Sequence, residues 1–98
     1  MRAIINGFLY DTDTAKEIGK NDIHDEYESY HIVETLYKKK KGEFFIQRDM
    51  WGDGDAVEEY EWTMAHRFQP LTIEEAKEWM EHYATVDEYI DEFGLPEE

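Results

Sequence analysis

His24-Asp25-Glu26-Tyr27-Glu28-Ser29-Tyr30-His31 places two imidazoles seven residues apart with carboxylates between them. Cysteine is absent, so zinc here would be held by imidazole nitrogen and carboxylate oxygen alone, a donor set that zinc accepts. His24, Asp25 and His31 are the candidate ligands. That spacing suits one face of a helix, whereas the segment reads as loop running into strand, so the alternative is an ordinary solvent-exposed pair. Zinc is the single cofactor expectation, and the expected function does not require it. Trp51-Gly52-Asp53-Gly54-Asp55 is oxygen-rich and hints at calcium, but it lacks the remaining ligands and the closing glutamate of an EF-hand loop.

Carboxylates recur where they should repel. In Val86-Asp87-Glu88-Tyr89-Ile90-Asp91-Glu92-Phe93-Gly94, Asp87 and Asp91 lie four residues apart, as do Glu88 and Glu92. On a helix each such pair costs roughly 0.2–0.5 kcal/mol. Glu74, Glu78 and Glu81 fall opposite the apolar stripe of a helix expected over 73–83. Acids in a first turn gain about 0.3–1 kcal/mol from the helix dipole, which accounts for Glu74, Glu75, Asp87 and Glu88. It does not account for Glu81, Asp91 or Glu92, which stand near C-terminal ends. Together with the acidic loop, these side chains make the candidate partner-binding set: Trp51, Asp53, Asp55, Glu58, Glu59, Glu78, Glu81, Asp87, Glu88, Asp91 and Glu92. Trp51 would be the anchor, since tryptophan is enriched at interface hot spots; the alternative is a ring folded back as a lid on the core. A glycine-rich phosphate loop, a nucleophile elbow and His-Glu-x-x-His are all missing, so no catalytic residue is assigned and no enzyme is expected.

The elements that position these residues follow from local patterns. Ile4-Ile5-Asn6-Gly7-Phe8-Leu9-Tyr10 sets Asn-Gly between apolar runs, which predicts a type I′ hairpin over about 2–10. Asp11-Thr12-Asp13-Thr14 offers N-caps for a short helix ending near Gly19, and residues 20–28 read as loop. His31 to Tyr37 is β-branched and aromatic, hence a strand; Lys38-Lys39-Lys40-Lys41-Gly42 turns into a second strand at Glu43–Arg48. The lysine run reads as a solvated turn that discourages edge pairing. A further strand is expected around Trp62 to Phe68, ended by Pro70. Thr72 with Glu75, and Thr85 with Glu88, fit capping boxes opening two helices, through about Tyr83 and to Gly94. Ile73, Ala76, Met80 and Tyr83, with Trp79 beside them, and then Val86, Tyr89, Ile90 and Phe93, form the apolar stripes. The fold class is α+β: a single domain with a small antiparallel sheet covered by C-terminal helices, plus one short N-terminal helix.

Charge sets the class of partner. Of 98 residues, 25 are acidic and 10 basic, for a formal net charge of −15, while 41% are hydrophobic and 15% aromatic. Those aromatics set the chain apart from disordered acidic tails. A field of this sign repels nucleic acids and anionic membranes and attracts basic surfaces, although it also serves solubility alone. The N-terminal MRAIINGFLY is too short and too interrupted for a signal peptide or a spanning helix, so the expected location is a reducing cytoplasm.

Ile4-Ile5-Asn6-Gly7 and Tyr10-Asp11-Thr12-Asp13-Thr14-Ala15-Lys16-Glu17-Ile18-Gly19 resemble the start of a family of small acidic proteins carried by phages and mobile elements of Gram-positive bacteria. The resemblance continues through Glu34-Thr35-Leu36-Tyr37-Lys38, Lys41-Gly42-Glu43-Phe44-Phe45 and Pro70-Leu71-Thr72 ahead of Glu75-Ala76-Lys77-Glu78-Trp79. Between Met50 and His66 the chain departs from that pattern, with a glycine-rich acidic loop in place of the family's tyrosine- and glycine-containing stretch. The setting and acidity are similar to those of anti-CRISPR proteins. What the resemblance implies is an inhibitor, working in the bacterial host cytoplasm, that binds a type II RNA-guided nuclease through acidic surfaces and impedes target DNA loading. Its partner surface would be the basic nucleic-acid channel or a recognition domain, with no direct nucleic-acid binding and no membrane. The alternative is a non-enzymatic regulatory or adaptor protein of the mobile element.

Overall fold

Asn6 and Gly7 adopt positive φ (52° and 80°), the conformation a type I′ turn needs, and they join β1 (Arg2–Ile5) to β2 (Phe8–Asp11). The structure is a computed structural model and describes residues 1–24, 30–52 and 67–97. Beyond the hairpin lies a four-stranded antiparallel sheet in the order β3-β4-β5-β6, comprising β3 (Lys16–His24), β4 (Tyr30–Lys38), β5 (Phe44–Gly52) and β6 (Phe68–Leu71). Helices α1 (Ile73–Tyr83) and α2 (Val86–Phe93) follow. The α+β class is as expected. No helix among the described residues is long and apolar enough to cross a membrane.

Alternation along the strands divides the sheet into two buried faces. Leu36, Phe44 and Ile46 point to one side and pack with Ala76, Trp79 and Met80 of α1. Phe45 and Phe68 point to the other, where Ala3 and Tyr10 of the hairpin cover them, with Tyr37 at the margin. Phe45 is the hub of that side, edge-on to Tyr10 (5.3 Å) and stacked on Tyr37 (5.3 Å). The molecule therefore has three layers: hairpin, sheet, helices. Phe45, Phe68, Ile32, Leu36 and Met80 are essentially sealed from solvent. Each such side chain contributes about 1.5–3 kcal/mol.

The short N-terminal helix is not formed. Asp11 begins a turn instead: its carboxylate accepts from the Asp13 amide (2.9 Å), and its carbonyl accepts from the Ala15 amide (3.1 Å). Aspartate and threonine bonded to their own backbone compete with helix continuation, and after one turn the chain leaves as β3. Lys16 to His24 then pairs with β4, so the expected loop from residue 20 is strand as far as His24. Gly19 follows a register irregularity in β3 and lies under the Trp79 ring, rather than capping a helix.

Other boundaries shift too. Trp51 and Gly52, expected in a loop, extend β5. Pro70 does not end β6; it pairs in register with Phe45. That is admissible because β6 is an edge strand among the described residues, where a missing N–H can face away from its neighbour. The expected strand residues 62–66 lie outside the described residues.

Candidate functional site

The two helices are held by local chemistry that was legible residue by residue. Thr72 Oγ1 accepts from the Glu75 amide (3.1 Å), and the Glu75 carboxylate accepts from the Thr72 amide (2.9 Å). Thr85 and Glu88 repeat the exchange at 3.2 and 2.8 Å. The hydrogen bonds from Thr85 hold the Glu88 carboxyl below its ordinary range, because they favour its charged form. Gly94 closes α2 at φ 86°, with its amide donating to the Ile90 carbonyl. Two of the acids are therefore structural caps.

A third is bound across the molecule. Glu92 was expected on the solvent row, but its side chain is only 9% exposed and its Oε1 lies 2.6 Å from Lys38 Nζ. Nor is the lysine run simply a solvated turn: Lys39 Nζ stands 3.7 Å from the centre of the Tyr10 ring and 3.7 Å from a Glu43 oxygen. Lys40 and Lys41 remain exposed. The supposed Glu88/Glu92 repulsion is thus offset, since one partner caps a helix and the other meets a cation.

What is left of the helical acids is narrower than the original set, and Glu74, which that set omitted, joins it. Glu74, Glu78 and Glu81 on α1, and Asp87 and Asp91 on α2, are exposed, and among the described residues no ion pair reaches them. They share a surface with apolar side chains that were expected to be buried. Ile73 is 54% exposed, Tyr83 50% and Val86 75%. Eight residues are too few for α2 to bury a whole stripe, and Val86 in its first turn lies beyond the sheet's reach. Between the helices runs a groove of about 270 Å³, lined by Met80, Ala84, Val86, Tyr89, Ile90 and Pro96, with Glu81 and Thr85 at its polar margin.

α1 is positioned over the sheet by a second polar centre. Glu34, buried on β4, accepts from Arg48 Nε (2.8 Å), Asn21 Nδ2 (3.2 Å) and Trp79 Nε1 (3.4 Å). A buried carboxylate is tolerated when it is paired and its lone pairs are used, as here. Arg48 is consequently drawn inward, toward a cleft of about 280 Å³ that Glu75, Glu78 and His82 also line.

The remaining candidates divide. Trp51 is 55% exposed on β5, so it is not a lid; its ring lies 5.5 Å from that of His31. His24 and His31, expected in loop and strand, are register partners across β3 and β4. Asp25, Asp53, Asp55, Glu58 and Glu59 lie outside the described residues. Among the residues whose side chains are described, no three of His, Asp and Glu come together in a form that would hold a metal.

One surface escaped the sequence reading. Ile4 is 74% exposed and Leu9 51% on the outer face of the hairpin, and Phe8, on its other face, is 59% exposed; Phe8 and Leu9 lie beside Lys40 and Lys41. The signal was present in the pattern: Ile4 pairs with Leu9 and Ile5 with Phe8, so a hairpin apolar on both faces must show one of them to water. Comparison with protein-family models, with curated proteins and with solved structures finds no match to this chain.

Proposed function

We propose that this protein is an inhibitor that binds the basic nucleic-acid channel of a host enzyme through its helical layer, acting by occupancy without turnover of its own. The observation that carries this reading is the set of five exposed carboxylates on the helical layer, Glu74, Glu78, Glu81, Asp87 and Asp91, of which Glu81 stands at the margin of the apolar groove between α1 and α2. Carboxylates alone would give steering and little affinity, because exposed ion pairs are worth about 0–1 kcal/mol each. A groove that accepts an apolar anchor supplies the desolvated centre that specific interfaces need. The specific form of the reading is an anti-CRISPR protein against a type II RNA-guided nuclease. Such nucleases hold their guide–target duplex in a positively charged channel, and the resemblance to small acidic phage and mobile-element proteins supports that choice.

The test is a purified assay in which a type II nuclease with its guide is titrated with this protein, and target DNA binding and cleavage are followed. Inhibition that weakens as salt rises from 50 to 300 mM is the expected result; full cleavage at stoichiometric excess in low salt overturns the reading.

A second reading, an adaptor of the mobile element, is favoured by one observation. The exposed hairpin face, apolar with Lys40 and Lys41 beside it, lies across the sheet from the acidic helices, so the molecule carries two unlike surfaces. An adaptor would leave the nuclease assay untouched and co-purify with proteins of the same element.

A further inference from the structure

We infer that the groove between α1 and α2 takes the apolar face of a basic amphipathic helix, with lysine or arginine bordering its anchors. The inference rests on the reading of the helical layer as the binding face, and adds what kind of element fills it. Phe93 turns from α2 onto the core and Tyr89 divides between core and groove, whereas Val86 and Ile90 line the groove with Met80 and Ala84. Met80 is sealed from solvent, while Val86, and Leu95 beside Pro96, are among the most exposed apolar side chains. A buried floor under open apolar walls is the setting in which an interface anchor is desolvated. Val86 and Ile90 are four residues apart, about 6 Å along the helix axis. Anchors at i and i+4 of a docked helix have the same rise, so two can meet the groove together.

Charge selects the occupant. Glu81 stands at the polar margin of the groove, and Asp87 and Asp91 each follow a groove-lining residue, about 100° further round α2. All three are exposed. Lys77, one turn before Glu81, has its ammonium over the Phe93 ring, 5.5 Å from the centre. A second copy of the chain would bring another −15 and be repelled, and nucleic acid is itself an anion. A helix whose apolar stripe is bordered by lysine or arginine satisfies both halves of the surface, in the way amphipathic helices lie in hydrophobic grooves. The carboxylates then govern how fast the helix arrives, and the groove how long it stays.

The experiment uses the full chain and a fluorescein-labelled synthetic helix of about 18 residues, roughly five turns, with leucine at every third and fourth position among lysine, arginine and alanine. A scrambled isomer has the same charge and composition without the apolar stripe. Fluorescence anisotropy at about 150 mM salt, where screening acts within roughly 8 Å, should show saturable one-to-one binding, at least tenfold tighter for the striped peptide. Val86→Ser, which alters an exposed side chain, should weaken the striped peptide at least fivefold, and so should Ala84→Leu, which fills the groove. Circular dichroism checks that each variant is folded. The triple variant Glu81→Gln/Asp87→Asn/Asp91→Asn should lose at least threefold in affinity and most of its dependence on salt. Ile4→Ser/Leu9→Ser, on the hairpin, should bind as the parent does. Equal binding of the two peptides, or striped-peptide binding untouched by Val86→Ser and by folded Ala84→Leu, overturns the inference. No nuclease is present, so the two readings fail separately. Peptide binding with uninhibited cleavage refutes the channel and keeps the helix as occupant; inhibition without peptide binding does the reverse.

Discussion

Asp91 stands in the last turn of α2, four residues after Asp87, exposed and with no cation in ion-pair range among the described residues. Both its position at the negative end of a helix and its neighbour disfavour it. Asp91→Asn should therefore raise stability by about 0.5 kcal/mol, read from denaturant unfolding, while weakening binding to the basic partner. A side chain kept for solubility alone would show the first effect without the second. Tyr10 carries a prediction of the opposite kind. Burial, and then the charge of Glu43, raise its pKa, and burial followed by Glu17, Asp49 and Asp13 does the same for Tyr37. A group whose folded pKa lies above its unfolded value contributes stability below the unfolded pKa and loses it as pH climbs through the folded one. Thermal melts should hold steady up to about pH 10, the ordinary tyrosine value, and fall beyond it. Tyr10→Phe should shrink that alkaline loss.

Among the elements, α2 is the one most dependent on a single distant contact. None of its residues is fully buried, and Lys38 from the end of β4 reaches Glu92 at 2.6 Å. Glu92→Gln should cost about 1 kcal/mol, or ~4–8 °C in unfolding temperature. A double-mutant cycle with Lys38→Gln should return most of that as coupling, with strictly additive losses as the contrary outcome. The same contact marks where sequence stops being informative. Both helices, their capping boxes, the Asn-Gly hairpin and the β4–β5 hairpin were legible because their signals lie within a few residues. Glu92 looked like a surface acid because its cation is far away in the chain. β3 was missed because the helix-compatible residues Lys16, Glu17 and Lys20 are overruled by pairing with β4, a tertiary effect that propensity cannot register. Within the candidate site, the exposed row on α1 was visible from its spacing, whereas the groove exists only once Pro96 and Tyr89 are brought beside Met80.

At the scale of the whole molecule, a net charge of −15 works against compactness and for association with a cation-rich surface. Salt should then act in two directions. Raising ionic strength from about 10 to 150 mM shortens the screening length from roughly 30 to 8 Å. The unfolding temperature should rise as self-repulsion is screened, and affinity for the basic partner should fall over the same range. A protein whose binding face is the apolar hairpin, with Ile4, Phe8 and Leu9, would keep its affinity as salt increases.

The most direct measurement compares the parent with a variant neutralised at five positions: Glu74→Gln, Glu78→Gln, Glu81→Gln, Asp87→Asn and Asp91→Asn. At about 0.2–1 kcal/mol per exposed contact, the account predicts a loss of roughly 1–5 kcal/mol in binding to the type II nuclease. The variant should be at least as thermally stable as the parent, which excludes unfolding as the cause. Undiminished affinity and inhibition by that variant in low salt would contradict the account.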